Sequence, residues 1–165
     1  MERAARLHPH QTPGVARRLR SVALLQPGWR LLNLAQYNIG RLRYPLNDSR
    51  MIGFVANVDR INALAERIDG FVWRLSGPSG NALDLGPSWD IVPNITLWRD
   101  VESLRRFVFN TAHKHFLARR AEWFLPIDGP KNVMWWTDRH PTLEEGAHRL
   151  LRLAQYGPHQ QAFAF

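Results

Sequence analysis

From Leu31 onward, apolar and polar positions follow two distinct periods, and the switches between them divide the chain into elements. Residues 31–39 alternate as a strand, with Leu32, Leu34, Gln36 and Asn38 on one face and Ala35, Tyr37 and Ile39 on the other. Both faces are largely apolar, as expected of a strand covered on two sides. The period then lengthens. Met51, Phe54, Val55, Val58, Ile61, Ala65 and Ile68 recur at three- and four-residue steps between a capping run, Asn47-Asp48-Ser49, and Gly70, which predicts an amphipathic helix. Phe71 to Leu75 reads as a second strand. Residues 76–91 carry Gly77, Pro78, Gly80, Gly86 and Pro87, turn chemistry in a connection long enough to be functional.

Asn94 to Trp98 alternates as a third strand, and Asp100 opens a second, longer helix through Val101, Leu104, Phe107, Val108, Ala112 and Phe116 to Trp123, stopped by Pro126. A fourth strand, Asn132 to Trp136, follows Gly129-Pro130. Thr142 starts a third helix with Leu143, Ala147, Leu150, Leu151 and Ala154, closed by Gly157-Pro158, and residues 161–165 could add a short strand. The order β-α-β-β-α-β followed by a helix and tail predicts an α+β, ferredoxin-like sheet. In that topology the helices lie on one face, so the apolar second face is expected to meet another sheet, most simply that of an identical subunit in a homodimer.

Composition narrows the chemistry. There is no cysteine, which removes disulfides, thiolate nucleophiles and cysteine-based metal sites. The seven His show no metal-binding spacing, and His113 and His115, two apart, fall on different helix faces, so no metal site is expected. The net charge of +8 is uneven: residues 1–31 hold six Arg against Glu2, and the remainder is only mildly basic, with Arg and acids interleaved. That distribution argues against nucleic acid as a partner. The sequence also contains no membrane-spanning run, and Val22 to Leu25 ends at Pro27, too short for a secretory signal. Residues 1–31 are therefore expected to form a basic arm, flexible or packed on a partner, ahead of a 32–165 domain in a cytoplasmic protein.

Several stretches together resemble a bacterial family of unknown function, DUF3291, within the dimeric α/β-barrel superfamily of antibiotic-biosynthesis monooxygenase-like proteins. They are Leu34-Ala35-Gln36-Tyr37-Asn38-Ile39 through Arg43, Gly53-Phe54-Val55, Asp59 to Ala65, and Gly70 to Leu75. Further on come Asn94 with Trp98, Leu104 to Phe109, His113, Arg119-Arg120 with Glu122-Trp123-Phe124, Trp135-Trp136, and His140-Pro141-Thr142. The resemblance covers residues 32–165. It implies the dimeric barrel but no single activity, because that superfamily hosts cofactor-free oxygenases, haem-binding enzymes, cyclases and isomerases.

Two groupings could carry chemistry. Phe109, His113, Phe116 and Arg120 lie four, three and four residues apart, one stripe of a continuous helix. A His that exchanges protons near neutral pH and an Arg that holds an oxyanion, framed by Phe rings, suit a pocket wall. The alternative is a hydrogen-bonded core His and an Arg paired with Glu122. On the sheet, Asn94, Thr96 and Trp98 share one face, as do Gln36 and Asn38, and Asn38, Asn94, Trp98 and His113 could converge. Trp73, Trp98 and Trp135 would shape an apolar pocket, and of the neighbours Trp135 and Trp136 one must face the helices and the other the interface.

The chain is thus expected to be an enzyme for a small hydrophobic, conjugated or aromatic molecule, without tightly bound flavin or metal. His113 would be its acid or base, and Arg120 and Asn94 would hold developing negative charge. Asn38, Trp73, Trp98, Phe109, Phe116 and Trp135 would bind the substrate. Two alternatives stand beside it. One is a haem protein with His113 as axial ligand; the resemblance makes Asn38, Trp98 and His113 the matching residue types, although the step from Trp98 to His113 is longer than in haem-degrading relatives. The other is a non-catalytic binding module that works through the dimer and the basic arm.

Overall fold

The computed structural model describes residues 32–165; the basic arm of residues 1–31 lies outside them. Strand β1 (Asn33–Leu42) leads through a 3-10 turn at Ser49–Met51 into helix α1 (Ile52–Glu66), then β2 (Phe71–Arg74) and β3 (Ile91–Trp98). Helices α2 (Val101–Asn110) and α3 (His113–Trp123) follow, then a two-residue strand β4 (Phe124–Leu125), β5 (Asn132–Thr137) and α4 (Leu143–Tyr156). The starts of α2 and α4 fall where the sequence places capping residues. The Asp100 carboxylate accepts the Ser103 N–H at 2.7 Å to open α2, and the Thr142 hydroxyl accepts the Glu145 N–H at 3.1 Å to open α4. Gly157, at φ +73°, takes the left-handed conformation that ends α4.

The sheet is antiparallel throughout, in the order β2-β3-β1-β5, with β4 continuing along the same edge of β1. This is the ferredoxin-like arrangement the element order implies, with Leu34 opposite Trp98, Gln36 opposite Thr96 and Asn38 opposite Asn94. Phe163 bridges to Met134 on the outer edge of β5, so the expected terminal strand is reduced to isolated bridges.

The expected single helix from Asp100 to Trp123 is two helices. Thr111 is extended (φ −122°, ψ −176°) and its hydroxyl donates to the Phe107 carbonyl at 2.6 Å while accepting the His113 N–H at 3.1 Å. A side chain that satisfies both helix ends stabilises the break. Strand β4 was equally unexpected. It forms because Phe124 and Leu125 emerge from α3 beside Arg41 and Leu42, where they find unpaired backbone.

The second correction concerns the sheet faces. One face, carrying Leu34, Trp98 and Met134, packs on α1 and α2, while Leu42, Met51 and Trp123 form a cluster with Phe54, Phe116 and Phe124 beyond it. The other face is not bare. Ala35, Tyr37, Ile95, Leu97, Val133 and Trp135 are all buried against Leu150 and Leu153 of α4 and against Ala162. A partner sheet is therefore not demanded, because the chain's own last helix seals the face from which the homodimer was inferred.

The seating of α4 depends on Gly146. A Cβ there would lie 2.6 Å from the Tyr37 ring, which is buried and cannot swing aside. Alanine is ordinarily favoured over glycine in a helix by about 1 kcal/mol. Here the overlap wins, and Gly146→Ala is expected to lower stability by about 1–3 kcal/mol as α4 is pushed outward. A urea midpoint at or above wild type would show that the helix does not sit this close.

Candidate functional site

Alternation along three adjacent strands places polar side chains in the middle of the α1/α2 face. Trp98 is fully buried, and its indole N–H donates to the Thr96 hydroxyl at 2.8 Å; that hydroxyl donates in turn to the Gln36 amide oxygen at 3.1 Å. The Gln36 amide N–H groups remain as donors. The next row along the strands is Asn94, Asn38 and Asn132, directly opposite one another across β3, β1 and β5. At about 3.3 Å per residue this row stands roughly 13 Å from the Leu34–Trp98 pair. All three asparagines are half-buried and their side chains have no hydrogen-bond partner among the described residues.

Helix α3 links the apolar clusters that flank these rows. At its start His113 lies against Phe107, with ring centroids 4.7 Å apart, and Phe107 stacks on Trp98 at 5.3 Å. Farther along, Phe116 and Trp123 join the Leu42 cluster, their rings 5.8 Å apart. Arg120 falls near the angular centre of the stripe His113, Phe116 and Trp123, yet it is exposed and its side chain has no partner among the described residues. Glu122, the acid expected to compete for it, is held by Arg119 through two contacts of 2.8 Å.

His113 has the properties of a neutral base. Its Nδ1 lies 3.4 Å from the Val108 carbonyl, which places the proton on Nδ1 and leaves Nε2 with a lone pair. Burial holds the imidazole below its usual range, and the Val108 carbonyl pulls weakly the other way. The unfolded chain therefore takes up the proton first. Stability is complete above about pH 6.5 and is lost as pH falls from there toward the lower folded value. Urea midpoints from about pH 7.5 to about pH 5 should show this decline in wild type and a flatter one in His113→Gln; parallel curves would remove the buried neutral imidazole.

The structure brings Asn38, Asn94, Trp98, His113, Phe116 and Arg120 to one side of the sheet and separates the remaining candidates. Trp135 points to the opposite face because it alternates with Met134, and Trp73 does so because a bulge after Phe71 sets it opposite Leu97. Trp135 is buried under α4 with the Arg149 guanidinium 4.9 Å above its ring, and Trp73 stacks on His140 at 4.5 Å. Trp136 points to the α1/α2 side but is 41% exposed at the edge. Phe109, cut from the α3 stripe by the helix break, is 47% exposed and meets Phe165 at 6.0 Å. Asn132 is the member that sequence reasoning missed. It begins the fourth strand in phase with Met134, but only the register of β5 against β1 aligns it with Asn38.

Two surface cavities lie elsewhere. One of about 140 Å³ sits between α4 and the C-terminal tail; another of about 420 Å³ runs between residues 45–47 and 83–89 beside Trp89, which is 65% exposed. Neither includes a residue of the polar rows, which form a half-buried floor rather than an open cleft. Among the described residues no group of three or more His, Cys, Asp or Glu could hold a metal ion, and no helix is long and apolar enough to cross a membrane.

A ferredoxin-like sheet with an asparagine row between two apolar clusters defines a small α+β domain that sets hydrogen-bond donors in an apolar surround. The chain belongs to DUF3291, a family whose description is a domain of unknown function; its model matches residues 33–165. No curated protein matches the sequence. Among solved structures it is distantly similar to SnoaB, a cofactor-independent oxygenase from Streptomyces nogalater, at 16% identity over 69% of this chain and 99% of that one, with a TM-score of 0.43. PA3566 from Pseudomonas aeruginosa aligns at 13% identity, 69% and 100% coverage and a TM-score of 0.44. A monooxygenase from the gene ActVA-Orf6 of Streptomyces coelicolor, in complex with nanaomycin D, aligns at 10% identity, 68% and 91% coverage and a TM-score of 0.39.

Proposed function

We propose that the chain is a small-molecule enzyme of the monooxygenase-like kind, acting on a hydrophobic, conjugated enol or phenol by proton transfer and oxyanion stabilisation. The observation that carries this reading is the row Asn94, Asn38 and Asn132: three adjacent carboxamides without partners among the described residues, set between apolar clusters. Half-buried donors held by a rigid sheet are oriented before any ligand arrives, which is what stabilises negative charge developing on an oxygen. His113, neutral and beside Phe107 and Trp98, takes the proton from one end of a conjugated substrate through Nε2. The carboxamide N–H groups receive the negative charge that conjugation carries to an oxygen at the other end, and Arg120, unpaired among the described residues, offers a further positive charge. Phe107, Phe116 and Trp98 supply the apolar walls. The electron-rich anion is the form able to reduce dioxygen without a cofactor, a phenol and O₂ giving a quinone and water.

All of the residues named come from one chain, so the reading does not depend on a homodimer.

The test is spectroscopic. A site that stabilises an oxyanion lowers the pKa of a bound phenol, so a hydroxylated naphthoquinone titrated at neutral pH should show the ionised spectrum on binding. The Asn38→Leu, Asn94→Leu double variant should lose that ionised signal. A panel of such compounds with neither saturable binding nor ionisation would overturn the reading.

A further inference from the structure

The cavity between α4 and the C-terminal tail lies against the opposite face of the sheet from the asparagine row and plays no part in the function proposed above. It is lined by Glu145, His148, Arg149 and Arg152, one stripe of α4, and by His159, Gln161 and Ala162 of the tail. Its charge is not balanced internally. Glu145 already holds two arginines, Arg149 at 2.9 Å and Arg139 at 3.1 Å, and Arg149 also donates to the Gln161 carbonyl at 2.6 Å. Among the described residues Arg152 pairs with no carboxylate, and its guanidinium lies 5.8 Å from the Tyr156 ring.

His159 adds a directional signal. Its Nδ1 accepts the Gln161 N–H at 3.2 Å, so in the neutral ring the proton resides on Nε2. That Nε2 is buried and has no partner among the described residues, an N–H donor lacking an acceptor. A free cationic side chain and an unanswered donor on one small cavity call for the same ligand chemistry. A cation is disfavoured, since Glu145, the one carboxylate among the described lining residues, already pairs with two arginines, although its buried Oε2 meets Arg139 as an ion pair without a hydrogen bond.

We propose that this cavity binds a small oxyanion, a carboxylate or phosphate group, held by the Arg152 guanidinium and the Nε2–H of His159. At about 140 Å³ it admits such a group but not a large ligand. Binding would fasten the tail to α4, and through the Met134–Phe163 bridge to the edge of β5.

The experiment follows the His159 side-chain NMR signals while inorganic phosphate and acetate are titrated separately at constant ionic strength, with chloride as the control. Wild type should show a saturable shift with a Kd of about 1 mM, which chloride does not reproduce. The tighter of the two anions identifies the source of the oxyanion. Arg152→Ala, at an exposed position that leaves the fold intact, should weaken binding at least tenfold, and Arg152→Lys should retain most of it. His159→Phe keeps an aromatic ring and removes the donor; its binding, followed on the Gln161 backbone amide signal, should weaken comparably. A shift that tracks ionic strength alone, or that is unchanged in Arg152→Ala, would overturn the site.

Discussion

Trp98→Ala is expected to cost about 3–5 kcal/mol of stability, a large share of what a domain of this size holds. Trp98 is fully buried at the centre of the α1/α2 face, stacked on Phe107 at 5.3 Å and meeting the Phe71 ring edge-on, also at 5.3 Å. Removing it leaves a cavity that rigid neighbours on the sheet cannot fill, and takes away the donor on which the Thr96 hydroxyl is oriented. Trp98→Phe keeps both ring contacts and should cost much less. Thermal and urea unfolding of the two variants decide the matter: an alanine variant within about 1 kcal/mol of wild type would mean that Trp98 is not the keystone its contacts imply.

The second large effect is on turnover rather than folding. Asn38 sits in the middle of the asparagine row, and its side chain binds nothing else among the described residues. Asn38→Ala should therefore leave the unfolding midpoint nearly unchanged while lowering kcat about 10²–10³-fold on a substrate that ionises in the site, with a smaller change in KM. Asn38→Asp should be worse still, because a carboxylate repels the anion that the carboxamide would stabilise. Rates within about threefold of wild type in both variants would take Asn38 out of the chemistry.

The parts of the fold that were legible in the sequence are those written in local period and capping. The strand at residues 33–42, the helix ended by Gly157 and the shared face of Gln36, Asn38, Asn94 and Thr96 all follow from alternation, helical spacing or a stop signal. What escaped was set by tertiary geometry. Thr111 looks like an ordinary helix residue until its hydroxyl is seen bonding both helix ends, and that break removed Phe109 from the proposed stripe. Asn132 became visible only through strand register, and the side on which α4 packs is not encoded in its own amphipathic pattern. Trp135 was assigned to the pocket on the assumption that every helix shares one face. The glycine at 146, which lets α4 approach Tyr37, was the local clue to the contrary.

The placement of α4 also dictates when this protein can fold. Tyr37 lies in the first strand, and the glycine that admits its ring lies at position 146, so the two meet only after the intervening chain has been made. Until residues 143–156 leave the ribosome, no helix among the described residues covers the face bearing Ala35, Tyr37, Ile95 and Trp135. Contacts so distant in sequence slow folding and lengthen the exposure of apolar surface. The nascent sheet thus carries an apolar face open to water or to other chains until α4 docks on it.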